Sequence, residues 1–75
     1  MMPGAAVGTA LPLLRRGDSG PNVRTLQEKL NTHGAAIGVD SDFGPATLKA
    51  VIAFQTGAGL EADGIVGEAT WAKLG

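Results

Sequence analysis

The sequence predicts an all-α fold, a compact three-helix bundle whose helices are joined by turns containing glycine and aspartate. Three helix entries carry a glycine, Gly20, Gly44 and Gly67, and about 24 residues separate one entry from the next. The first two glycines are each followed by a proline, whose fixed φ suits the first position of a helix. A repeat of this period with short turns places three helices of decreasing length around one core.

The middle segment, residues 40–55, is the one that the rest of the chain is expected to pack around. Its helix is predicted over residues 45–56, and its apolar face is broader than a surface helix needs. We therefore expect this helix to be covered from two directions. The face consists of two neighbouring stripes, Leu48, Val51, Ile52 and Gln55, and Thr47, Ala50, Val51 and Phe54.

The first helix is predicted from Pro21 to about His33, with Gly34 in the left-handed position that commonly ends a helix. Asp18 or Ser19 is placed to accept hydrogen bonds from the free amides at its start. The side chains expected to point inward are those of Val23, Leu26, Gln27 and Leu30.

The segments between the helices supply further apolar contacts. Leu13 and Leu14 are expected to dock as a short extended segment. Ile37 and Val39 are expected to point inward, and Leu60 is expected to anchor the chain after the middle helix.

The second and third copies of the repeat also match upstream of the helix entries. Asp40 and Asp63 each stand four residues before the entry glycine. The tight Asp63-Gly64 turn leads into a last short helix, predicted over residues 68–74.

Length and composition limit the possible functions. Seventy-five residues make one small domain, and the chain contains no cysteine, so neither a disulfide framework nor a thiolate metal site stabilises it. Six basic and seven acidic residues give a net charge of −1, far from the basic footprint of a nucleic-acid binder. No apolar run approaches the roughly 20 residues of a membrane span.

Residues 1–12 lack the basic start of a signal peptide and are broken by proline and glycine, so we interpret them as a flexible leader or linker before a domain at 13–75.

Few residues are suited to catalysis. His33 is the only histidine, and its position at a helix end favours a structural role. Asp40 and Asp42 form the closest carboxylate pair, but aspartates in a turn before a helix usually accept backbone amides. Calcium binding would need further ligands, and a DNA-reading helix-turn-helix would need more positive charge. We therefore expect no catalytic residue, no metal and no cofactor, and interpret the chain as a binding module.

Two aromatic residues bear on that interpretation. Phe43 is expected in the core, whereas Trp71, on the short last helix, is expected to be mostly buried with one edge open to a ligand.

Three motifs in order resemble the three-helix peptidoglycan-binding domain of cell-wall hydrolases and endolysins. The first is residues 13–23 with Leu26, Gln27 and Leu30, and the second runs from Val39 to Gln55. The third runs from Gly59 to Leu74, so the resemblance covers the whole predicted domain. The family usually has Asp-Gly in the central turn, where this chain has Asp40-Ser41. Because serine adopts positive φ less readily than glycine, we expect this turn to be mildly strained or differently shaped.

The resemblance implies a non-catalytic, monomeric module that attaches a covalently linked hydrolase domain to bacterial peptidoglycan, by recognising the stem peptide in a shallow groove between helices. It implies an extracellular, periplasmic or cell-wall location, or release from a phage-infected cell at lysis. The alternatives are a protein-interaction or autoinhibitory module that docks on its own catalytic domain, as a propeptide does, and an enzyme in its own right. The residues predicted to contact ligand are Asp63, Gly64, Asp40, Ser41, Thr47, Thr70, Trp71 and Arg24.

Overall fold

The computed structural model describes residues 13–75. Three helices form this part of the chain: α1 at Pro21–Thr32, α2 at Pro45–Gly57 and α3 at Glu68–Leu74. Its extended pairing is limited to two isolated antiparallel bridges, so the predicted all-α class is confirmed. The predicted leader at residues 1–12 lies outside the described residues.

The helix starts differ from the prediction in one respect. Gly20, Gly44 and Gly67 are the N-cap residues, and no side chain in the described part of the chain caps these helices. The predicted capping role of Asp18 or Ser19 is wrong. The Asp18 carboxylate instead accepts a hydrogen bond from the Arg15 amide at 2.9 Å, which closes the turn before α1.

The ends of α1 and α2 share one backbone arrangement. Gly34 and Gly59 have φ of 92° and 75°, and each follows a helix as its left-handed residue. The amides that follow them bond back to the last turn, Ala35 to Leu30 and Leu60 to Gln55, at 3.1 and 2.9 Å. Both helices therefore end in a Schellman motif, and the prediction for Gly34 is confirmed.

Helices α1 and α3 cover α2 from two directions, but they bury only one row of its side chains. Thr47, Val51 and Gln55 are buried, and Thr47 faces α1 while Gln55 faces α3 through side-chain hydrogen bonds. Ile52 on α2 and Val39 in the loop before it were both predicted to point inward, but each is 38% exposed. The apolar face of α2 is therefore broader than the part of it that α1 and α3 cover. The buried apolar core consists of Leu14, Val23, Leu26, Leu30, Phe43, Val51, Val66, Trp71 and Leu74.

The segment at residues 13–20 connects the two loops that lead into α2 and α3. Leu14 exchanges two backbone hydrogen bonds with Val66, of 3.1 and 2.8 Å. Farther along, the Phe43 amide donates to the Asp18 carbonyl and the Gly20 amide donates to the Ser41 carbonyl, both at 2.9 Å. The predicted docking of Leu14 is confirmed, whereas Leu13 is 60% exposed.

Candidate ligand-binding site

A buried glutamine on α1 holds the loop that leads into α2. Three oxygens surround the amide nitrogen of Gln27: Asp40 Oδ1 at 2.9 Å, the Asp42 carbonyl at 2.9 Å and Thr47 Oγ1 at 3.0 Å. Its amide oxygen accepts from the backbone amides of Asp40 and Ser41. We call this set the Gln27 network. It satisfies the buried amide completely and fixes the loop in one shape.

A second buried glutamine repeats the arrangement in front of α3. The amide nitrogen of Gln55 lies 3.2 Å from Asp63 Oδ1, 2.8 Å from the Ile65 carbonyl and 3.2 Å from Thr70 Oγ1. Its amide oxygen accepts from the Gly64 amide at 3.0 Å. We call this set the Gln55 network. The internal repeat seen in the sequence is therefore a repeat of hydrogen bonding as well as of helix entries.

The aspartate of each network also closes its own turn. Asp40 Oδ1 accepts from the Asp42 amide at 3.0 Å, and Asp63 Oδ1 accepts from the Ile65 amide at 2.9 Å. The pKa of Asp40 lies below its ordinary value, chiefly because the Asp42 amide donates a hydrogen bond to the carboxylate and secondly because the Gln27 side chain does. Together these hydrogen bonds outweigh desolvation, which would raise the pKa. The Asp40 carboxylate is thus held in its charged form, as an acceptor rather than a proton donor.

The turn with serine has the same shape as the turn with glycine. Ser41 has φ of 66° and Gly64 has φ of 75°, so both occupy the left-handed region. Ser41 is partly exposed, whereas Gly64 is buried, and a Cβ there would lie 2.6 Å from Cδ1 of Leu48. Of the two expectations for the Asp40-Ser41 turn, backbone strain at Ser41 therefore applies and a different turn shape does not.

A groove of about 450 Å³ lies between the C-terminal end of α1 and the outer face of α2; we call it the α1–α2 groove. Its walls are mainly small and apolar. Ala46, Ala50 and Ala53 contribute from α2, at the spacing that places them on one face of a helix. The other lining residues are Leu30, His33, Gly34, Ala35, Ile37, Lys49 and Phe54.

His33 forms part of one groove wall and connects α1 to α3. Its Nε2 lies 3.0 Å from the Leu74 carbonyl. Because a carbonyl only accepts, Nε2 carries the hydrogen in this contact. The ring also meets Phe54 edge to face, with centroids 5.0 Å apart. These contacts support the structural role predicted for His33.

A smaller depression of about 270 Å³ lies on the other side of α2, and we call it the α2–α3 depression. Leu13, Leu60 and Ile65 supply apolar surface there. Three carboxylates also border it, those of Glu61, Asp63 and Glu68. The two concave surfaces therefore differ in the sign of the charge at their edges.

The predicted contact residues are divided among the two networks, the core and the exposed surface of α1. Asp40, Ser41 and Thr47 belong to the Gln27 network, and Asp63, Gly64 and Thr70 belong to the Gln55 network. Trp71 is 6% exposed, whereas Arg24 is exposed and pairs with Glu28 at 3.3 Å.

None of these eight residues lines the α1–α2 groove among the described residues, although Asp63 and Thr70 border the α2–α3 depression. Sequence reasoning missed the alanine face of the groove. The spacing of Ala46, Ala50 and Ala53 was the available signal.

Comparison with known proteins places this geometry among related domains. A family model described as a peptidoglycan binding domain matches residues 19–74. The chain is 47% identical over 64 residues to the zinc D-Ala-D-Ala carboxypeptidase of Streptomyces albus G, covering 81% of this chain and 25% of that protein.

Two solved structures are similar at the level of both fold and sequence. One is a peptidoglycan-binding protein from Clostridioides difficile, solved in complex with glutamine hydroxamate, with a TM-score of 0.84 and 48% identity over 87% of this chain and 41% of that chain. The other is the Burkholderia AP3 phage endolysin, with a TM-score of 0.83 and 48% identity over 84% of this chain and 24% of that chain.

The relatives are longer proteins that include cell-wall enzymes and an endolysin. The chain spans between 17% and 58% of the length of curated relatives that it matches. None of the three described helices has the length and apolar character needed to cross a membrane.

Proposed function

Because the chain belongs to the peptidoglycan-binding domain family, as its motifs predicted, we propose that it anchors a linked cell-wall enzyme to peptidoglycan by binding the stem peptide in the α1–α2 groove. The module itself is non-catalytic and monomeric, and it acts outside the cytoplasm or after phage lysis. Its contribution is a high local concentration of the linked enzyme at its substrate.

The observation that carries this proposal is the combination of the family match with an apolar groove lined by alanines. Because the side chains of Ala46, Ala50 and Ala53 are small, this wall of the groove offers an apolar surface on which the alanine side chains of a stem peptide are proposed to pack. The groove lies between a helix end and a helix face, both fixed by the core. A single shallow groove of this kind provides weak binding, which tethering strengthens.

The predicted contact residues have two proposed roles, which depend on whether they are exposed or buried. Asp40, Asp63 and Arg24 are exposed and are proposed to contact peptide or sugar outside the α1–α2 groove, Asp63 at the border of the α2–α3 depression. The partly exposed Ser41 is proposed to offer its hydroxyl, whereas the buried Gly64 is proposed to hold the shape of its turn. The buried Thr47, Thr70 and Trp71 are proposed to act by holding the loops and α3 in position.

The test is co-sedimentation of the purified chain with insoluble peptidoglycan sacculi over a salt series. We expect saturable pelleting that survives moderate salt, because the groove is mainly apolar. Ala53→Trp fills the groove from an exposed helix position and should weaken pelleting roughly tenfold.

The matched control is Ala72→Trp, an exposed alanine on α3 that does not line the groove. This variant should pellet as the parent chain does, and circular dichroism should show the same helicity for both variants. A well-folded parent chain that stays in the supernatant would overturn the proposal. The next experiment would then be inhibition of the linked catalytic domain in trans, which the autoinhibitory alternative requires.

A further inference from the structure

We infer that the α1–α2 groove selects stem peptides that carry a free carboxylate over those in which it is converted to a carboxamide, and that Lys49 determines this preference. The inference rests on the proposed function and adds the chemical group that the groove distinguishes. It is carried by the distribution of charge around the two concave surfaces.

The α1–α2 groove has one permanently charged side chain among its described lining residues. That side chain is Lys49, on α2, which lines the groove together with Ala46, Ala50 and Ala53. No carboxylate lines the groove within residues 13–75. His33, the other ionisable group there, already donates from Nε2 to the Leu74 carbonyl. A ligand carboxylate in the groove therefore meets a cation and no anion.

Lys49 has its ammonium group available. Within residues 13–75 the Lys49 side chain makes no hydrogen bond and no ion pair. Arg24, by contrast, pairs with Glu28, and Lys29 donates to the Gly75 carbonyl at 2.8 Å. A carboxylate that binds beside Lys49 does not have to displace an internal partner.

The α2–α3 depression has the opposite character. Glu61, Asp63 and Glu68 border it, and no lysine or arginine lines it among the described residues. An acidic peptide is repelled there and attracted to the α1–α2 groove, so the charge pattern favours one of the two concave surfaces. The ligand that fits the α1–α2 groove carries methyl-sized side chains and a carboxylate within reach of Lys49.

The test compares two soluble probes that differ at one group. Both are N-acetylmuramyl-L-alanyl-D-glutamate with the glutamate γ-carboxyl capped as a methylamide, and they differ only in whether the α-carboxyl is free or converted to a carboxamide. Each is titrated into the whole chain and followed by NMR chemical shifts. We expect the carboxylate form to bind roughly fivefold more tightly, the value of one exposed ion pair, and the difference to shrink as salt is raised.

Three variants assign the preference to Lys49. Lys49→Met keeps the length of the side chain and should bind both probes equally, whereas Lys49→Arg should retain the preference. Lys73→Met, at an exposed lysine on α3 outside the groove, is the matched control and should behave as the parent chain. Thermal melting should show that none of the three alters folding.

Three results would overturn the inference while leaving the proposed function standing, provided that the chain pellets with sacculi. These are equal binding of both probes by the parent chain, a preference that persists in Lys49→Met, and binding of neither probe. A chain that fails to pellet with sacculi overturns the proposed function itself, so the two failures are distinguishable.

Discussion

The Gln27 and Gln55 networks hold turns of the same shape, but the residue with positive φ differs between them. In each, a buried glutamine, an aspartate and a threonine hold a turn with positive φ in front of a helix. The residue with positive φ is Ser41 in the first network and Gly64 in the second. The turn shape is therefore set by hydrogen bonds to the glutamine and not by the presence of glycine.

The difference between the two turns lies in what surrounds them. At Gly64 the side chain of Leu48 occupies the space into which a Cβ would project. Ser41 keeps its side chain partly exposed, so its cost is limited to backbone strain. The same backbone conformation thus requires glycine in one turn and tolerates serine in the other.

The largest expected effect comes from removing a glutamine. Gln27→Leu leaves the amides of Asp40 and Ser41 without their acceptor, and Asp40 and Thr47 without a donor, in a part-buried region. We expect a loss of about 3–4 kcal/mol in the free energy of unfolding, measured by urea denaturation. Gln55→Leu should cost slightly less, because its amide oxygen accepts one backbone amide instead of two. A Gln27→Leu chain as stable as the parent would show that the networks do not determine the fold of the loops.

The next effect distinguishes the two turns directly. Gly64→Ser places a Cβ against Leu48 at a positive φ, so we expect a loss of about 2–3 kcal/mol in the free energy of unfolding. In a Leu48→Ala background the same substitution should cost only the backbone strain, about 1 kcal/mol. Equal costs in both backgrounds would show that crowding by Leu48 does not explain the requirement for glycine.

The sequence predicted the bundle well because its signals are local. Pro21, Pro45 and Gly34 set helix boundaries within a few residues of themselves, and the helical spacing placed Gln27 and Gln55 on inward stripes. The hydrogen bonds of those glutamines were not predicted. Their partners are separated in sequence and meet only once the helices pack.

The candidate site was harder to predict for a related reason. A sequence motif does not show which of its residues are buried by contacts inside the domain. Thr47 and Thr70 are such residues, because the two glutamine networks bury them. The α1–α2 groove forms where the end of one helix meets the face of another. Its alanines carry no polar group that would mark them as functional. Lys49 resembled any solvent-exposed lysine until the charges around both concave surfaces were known.

The smallest expected effect is a gain in stability at Ser41. Ser41→Gly removes the strain of φ 66° and, within residues 13–75, breaks no hydrogen bond of the serine hydroxyl. Glycine also adds entropy to the unfolded chain, so the net gain in the free energy of unfolding should be about 0.5 kcal/mol. Ser19→Gly is the matched control, because Ser19 is exposed and does not have positive φ; it should lose a few tenths of a kcal/mol. If both substitutions destabilise the chain equally in urea denaturation, Ser41 is not strained, and the two turns differ only in the crowding around Gly64.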